Sequence, residues 1–141
     1  MEVKYGRMCV LALILAAMPA ALYGAGSAQA LVAQYQAAQQ EGDIEALKRL
    51  VFWDGATQYT RETIEKRLTR HLDLEIKRIE FRPLTGDENF DTPRYHPNLK
   101  PVGWLVIFFR PPDGDSRFIG ESFVVGEKNG EYFITVARRT R

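Results

Sequence analysis

Apolar and polar positions alternate most clearly near the end of the chain. Residues 104–109, 118–125 and 132–136 read as three consecutive antiparallel strands, each rich in Val, Ile, Phe and Tyr. Asn129-Gly130 lies between the last two. That dipeptide favours a two-residue type I′ turn because both positions need φ > 0. The turn pairs Glu127 with Tyr132, Val125 with Ile134 and Gly126 with Phe133. The connection before it centres on Asp113-Gly114, and an even-length loop there pairs Trp104 with Phe123, Val106 with Glu121 and Phe108 with Ile119. One face then carries Val102, Trp104, Val106, Phe108, Ile119, Phe123, Val125, Tyr132, Ile134 and Val136, and this face is expected to be the core. The other carries Leu105, Ile107, Phe109, Phe118, Val124 and Phe133. It is more apolar than a solvated sheet face usually is.

Upstream the period changes from two to that of a helix. Residues 31–41 are rich in Ala, Gln and Leu, with Leu31, Tyr35 and Ala38 on one face. Gly42 suits a helix stop and Asp43 an N-cap for a second helix over 44–51. Thr60 suits the cap of a third helix over 61–71, with Ile64, Leu68 and Leu72 as its stripe. Residues 74–82 read as a strand whose phase slips at Lys77-Arg78, as a β-bulge would make it. Residues 83–101 form a long proline-bearing loop, part of which, near 89–95, is placed to add strand to the sheet. The fold class is therefore α+β, with N-terminal helices packed on a curved antiparallel sheet of four to five strands.

The order of elements supports a resemblance. Tyr35, Ala38, the Gly42-Asp43 break, Leu47 and Leu50, then a Trp53-bearing turn and an antiparallel sheet, resemble the nuclear transport factor 2-like superfamily. Its fold is a cone in which a curved sheet wraps a helix around a pocket. The superfamily holds ketosteroid isomerase-like and polyketide cyclase-like enzymes. It also holds many non-enzymatic binding and dimerisation domains, so the likeness implies a fold and not an activity.

Residues 1–30 read as a secretory signal. Lys4 and Arg7 precede an uncharged apolar stretch, and Ala28-Gln29-Ala30 fits a cleavage site. The remaining domain, 31–141, is expected to be exported to a periplasm or beyond, with no stable membrane span after cleavage. The 141-residue chain has a formal net charge of +1. Losing Glu2, Lys4 and Arg7 leaves it neutral, which argues against nucleic acid as a partner. The single cysteine, Cys9, leaves with the signal, so the core alone must hold the domain.

Candidate chemistry is sparse. Glu121 points into an apolar face, where a carboxylate can serve as a general base; a local bulge or an arginine partner would instead make it structural. His96, in the long loop, could form a dyad with Asp91 or Glu121. His71 sits at a helix end, and two isolated histidines make no metal motif. Trp53, Tyr59, Tyr95 and Trp104 could line a pocket for a small apolar ligand, or simply fill the core. No glycine-rich phosphate loop, serine-triad motif or cysteine chemistry is recognisable, and no cofactor or metal is implied. The expected function is a non-enzymatic binding or protein-interaction domain, homodimeric through the second sheet face. The alternative is a cofactor-independent lyase or isomerase using Glu121 or His96. A hollow cone would favour the enzyme and a filled one the interaction domain.

Overall fold

The computed structural model describes residues 24–90, 92–93, 95–113 and 117–138. Three helices come first: α1 (Ala28–Glu41), α2 (Ile44–Arg49) and α3 (Gln58–Thr69). Four strands follow: β1 (Ile76–Pro83), β2 (Pro101–Phe109), β3 (Ile119–Lys128) and β4 (Glu131–Ile134). They form one antiparallel sheet in the order β1-β2-β3-β4. The helices pack against one side of this curled sheet, an α+β arrangement.

Side-chain caps set the helix limits. The Ser27 side chain accepts from the Ala30 N–H at 3.0 Å, so α1 starts ahead of the expected position. Gly42 ends it with φ 64°, and Asp43 caps α2 by accepting from Ala46 N–H at 3.0 Å. Thr57, not Thr60, caps α3, because the Thr57 hydroxyl accepts from the Thr60 backbone N–H at 3.1 Å.

Upstream of α1, Ala25 and Tyr132 exchange both backbone hydrogen bonds, at 3.1 and 2.7 Å. This short segment lies along the outer edge of β4, with Ala25 fully buried. Gly24 sits so close to the Phe133 ring that an added Cβ would fall 2.5 Å from it. Residues 24–30 are therefore part of the packed domain, and the expected cut after Ala30 would fall within α1.

The last hairpin has the expected register, Val125↔Ile134, Gly126↔Phe133 and Glu127↔Tyr132. Asn129 and Gly130 both take positive φ, 53° and 79°. The bulge in β1 is also present, with the register shifting between Ile76 and Arg78. The β2–β3 pairing differs from expectation. Leu105 pairs with Phe123, Ile107 with Glu121 and Phe109 with Ile119, so the connecting loop has odd length. A slip of one residue moves every side chain of a strand to the opposite face. Leu105, Ile107 and Phe109 thus belong to the core, and Trp104, Val106 and Phe108 to the outer face.

Leu105, Ile107, Phe123, Val125 and Ile134 pack against Leu31, Tyr35, Leu47 and Leu68, all at most 2% exposed. The buried core lies between the helices and this face of the sheet. Within it Gly103 has no side chain because the Phe81 ring and the Arg82 carbonyl lie where a Cβ would be. Phe133 has outer-face parity yet is buried beneath Gly24 and Phe52, its ring centroid 5.5 Å from that of Phe52. The possible extra strand near 89–95 is not formed among the described residues. Thr92 and Tyr95 make only a local bridge, and Pro97 bridges to Ala137.

Candidate functional site

The sheet opens after the Val125–Ile134 pair. Thr135 still reaches the Val124 carbonyl through its N–H at 2.8 Å and its hydroxyl at 3.2 Å. Beyond that point the chain leaves β3 and joins the long loop. Asn98 N–H donates to the Val136 carbonyl at 3.0 Å, and the Asn98 side-chain oxygen accepts from Val136 N–H at 3.1 Å. Its side-chain nitrogen donates to the carbonyls of Phe52 at 2.6 Å and Asp54 at 2.9 Å. One asparagine thus ties loop, C-terminal segment and α2–α3 connection together.

Between the diverging segments lies a cleft of about 540 Å³. Tyr59, Thr63 and Arg67, each one helical turn apart on α3, form one wall. Phe90, Tyr95 and Trp104 form the other, with the Phe90 and Trp104 rings 5.2 Å apart. Phe123 and Val136 contribute to its floor. The structure therefore brings together three of the four expected pocket-lining residues, Tyr59, Tyr95 and Trp104. Trp53 does not line this cleft. Its indole N–H donates to the Lys48 carbonyl at 2.9 Å and the Arg61 guanidinium lies 5.3 Å from its ring, both structural roles.

Among the described residues Arg67 is the only charged group in this lining, and Glu121 neutralises it. Glu121 Oε1 accepts from Arg67 Nε at 3.0 Å and Nη2 at 2.6 Å, and Nη2 also donates to the Ser122 carbonyl at 2.5 Å. The guanidinium covers the Phe123 ring at 4.6 Å. Glu121 does face the core side, opposite Ile107 instead of Val106, and has the arginine partner that makes it structural. Nearby Tyr35 is held in its neutral form, its pKa pushed well up by burial first and by the Glu121 charge second.

His96 is half-buried, does not line the cleft, and its carbonyl accepts from Arg138 N–H at 2.7 Å. Its other proposed partner, Asp91, lies outside the described residues. His71 stacks on Phe109 at 4.9 Å, while its carbonyl accepts from Gln39 Nε2 at 2.6 Å. Among the described residues no cluster of three or more His, Cys, Asp or Glu could hold a metal, and no helix is long and apolar enough to cross a membrane.

Comparison with family models, curated proteins and solved structures gave no match. The cleft must therefore be interpreted from its own chemistry. Its aromatic wall, threonines and neutralised arginine suit an uncharged ring-bearing ligand. Arg67, Phe90 and Asn98 were not singled out in the sequence. The 59-63-67 spacing was a usable sign for the helix wall; the partners of Phe90 and Asn98 are too distant in the chain for any local pattern to reveal.

Proposed function

We propose that this chain is an exported, non-enzymatic binding or interaction domain, allied to the nuclear transport factor 2-like cones by its helix-first order. The commitment of the inward carboxylate to an arginine, beside a closely packed core, carries the reading. An isomerase or lyase of that shape needs a hollow interior with a polar group free to exchange protons. Here large side chains occupy the interior, and the one inward carboxylate is committed to Arg67. Function then falls to the periphery, where a small uncharged apolar ligand suits the cleft beside Tyr95 and Trp104.

Homodimerisation belongs to the same proposal, through a surface other than the one expected. Leu105, Ile107 and Phe109 are internal, so the available apolar surface is Trp104, Val106, Phe108, Phe118 and Val124 on the outer face. A two-fold contact centred near Val106 pairs this face with itself. Val106→Lys places a charge there without entering the core. Light scattering should give a dimer for the wild type and a folded monomer for Val106→Lys. A wild type that is monomeric at micromolar concentration refutes the dimer.

A further inference from the structure

A regular strand sends consecutive side chains to opposite faces. The β1 bulge breaks this rule at Lys77 and Arg78, and both side chains line one groove on the outer side of the sheet. Phe108, Phe118, Pro111 and Arg117 complete most of a space of about 570 Å³. Among the described residues no carboxylate lines it. Phe118 is 77% exposed, and its ring meets Phe108 edge-on at 5.0 Å. The Arg78 guanidinium is pre-positioned 4.3 Å from the Phe108 ring. It makes a long salt bridge of 4.0 Å to Glu80, whose carboxylate Arg82 engages more closely through two hydrogen bonds. Among the described residues the lining thus holds three cations, Lys77, Arg78 and Arg117, and an exposed aromatic floor lies beside them.

We propose that this groove binds an acidic peptide segment of a partner protein, its carboxylates meeting Lys77 and Arg78 and an apolar side chain covering Phe118. The charge pattern is complementary to such a segment. A free anion would leave the aromatic floor uncovered. The proposal rests on the interaction-domain reading and gives that domain a partner class, one that competes with a second copy of the chain for Phe108 and Phe118.

The test uses the whole chain and a fluorescein-labelled Glu-Asp-Phe-Asp-Glu peptide, read by anisotropy. The neutral Gln-Asn-Phe-Asn-Gln peptide and the ringless Glu-Asp-Gly-Asp-Glu peptide are run beside it. The acidic aromatic peptide should bind at least about tenfold more tightly than either control, and more weakly as salt rises. Lys77→Glu with Arg78→Glu should weaken it by at least about tenfold, and Phe118→Ser should weaken it without altering the fold, since that ring is largely exposed. Equal binding of acidic and neutral peptides, or affinity untouched by charge reversal, overturns the proposal. So does salt-sensitive binding to phosphatidylglycerol vesicles in the absence of peptide binding, which would make the face a lipid site. If Val106→Lys abolishes self-association while no acidic peptide binds, the groove inference alone fails. If neither assay responds, the interaction-domain reading loses its support as well.

Discussion

Removing Arg67 tests whether Glu121 is a structural carboxylate or a base. Its side chain is 11% exposed and that of Arg67 is 31% exposed. The pair thus lies between two measured regimes. Breaking a fully buried pair costs about 3–5 kcal/mol, whereas exposed pairs contribute about 0–1 kcal/mol. Arg67→Ala leaves a nearly buried carboxylate beside Ile107 and Tyr35 and also uncovers the Phe123 ring. Two charge-assisted hydrogen bonds lost from a partly solvated site give about 2 kcal/mol, and the ring contact adds about 0.5 kcal/mol. Removing both charges behaves differently. Arg67→Met with Glu121→Leu replaces the pair by apolar side chains and should cost about 1 kcal/mol or less. Urea denaturation of wild type, Arg67→Met, Glu121→Leu and the double variant closes the cycle. A coupling energy of at least about 1 kcal/mol is expected. Single losses that add within about 0.5 kcal/mol would show a solvated pair, and Glu121 would again be a candidate base.

Two further outcomes follow from the same structure. A chain beginning at Leu31 should unfold at lower urea than one beginning at Gly24. Ser27→Ala alone should cost about 1 kcal/mol, as lost N-caps do; equal midpoints for the two chains would mean that residues 24–30 contribute nothing. Burial raises the Tyr35 pKa above its unfolded value near 10. Its contribution is complete below about pH 10 and is lost as pH rises toward the folded pKa, because the unfolded chain releases the proton first. Urea midpoints measured from about pH 9 upward should fall more steeply for wild type than for Tyr35→Phe, and parallel slopes would exclude Tyr35 as the cause.

Much of the fold was legible because its signals are local. The Asn129-Gly130 turn imposes its own geometry, so the last hairpin register followed from two residues. The Gly42-Asp43 break supplied both a helix stop and the next cap. The β2–β3 connection carries no such instruction. Its parity depends on loop length, and one residue decides whether Leu105 or Trp104 faces inward. Composition could not arbitrate, because both phases of β2 are apolar. The segment over 24–27 was hidden for a different reason: the Ala28-Gln29-Ala30 pattern reads as a cleavage site and gives no local sign that Ala25 pairs with Tyr132 or that Ser27 caps α1.

The site was less legible, since its key contacts join distant parts of the chain: Arg67 with Glu121, and Asn98 with Val136. One local irregularity nevertheless connects core and surface. Ile76 and Ile79 both share the face of their core partners, Phe109 and Ile107, although three positions separate them in sequence. A regular strand would place one inside and the other outside. The bulge absorbs the mismatch by turning both Lys77 and Arg78 toward the same outer groove. The device that seats Ile76 and Ile79 also concentrates two cations beside Phe108. Any substitution that removes the bulge should therefore disturb core packing and the proposed acidic-peptide binding together, whereas exchanging the charges of Lys77 and Arg78 should alter that binding alone.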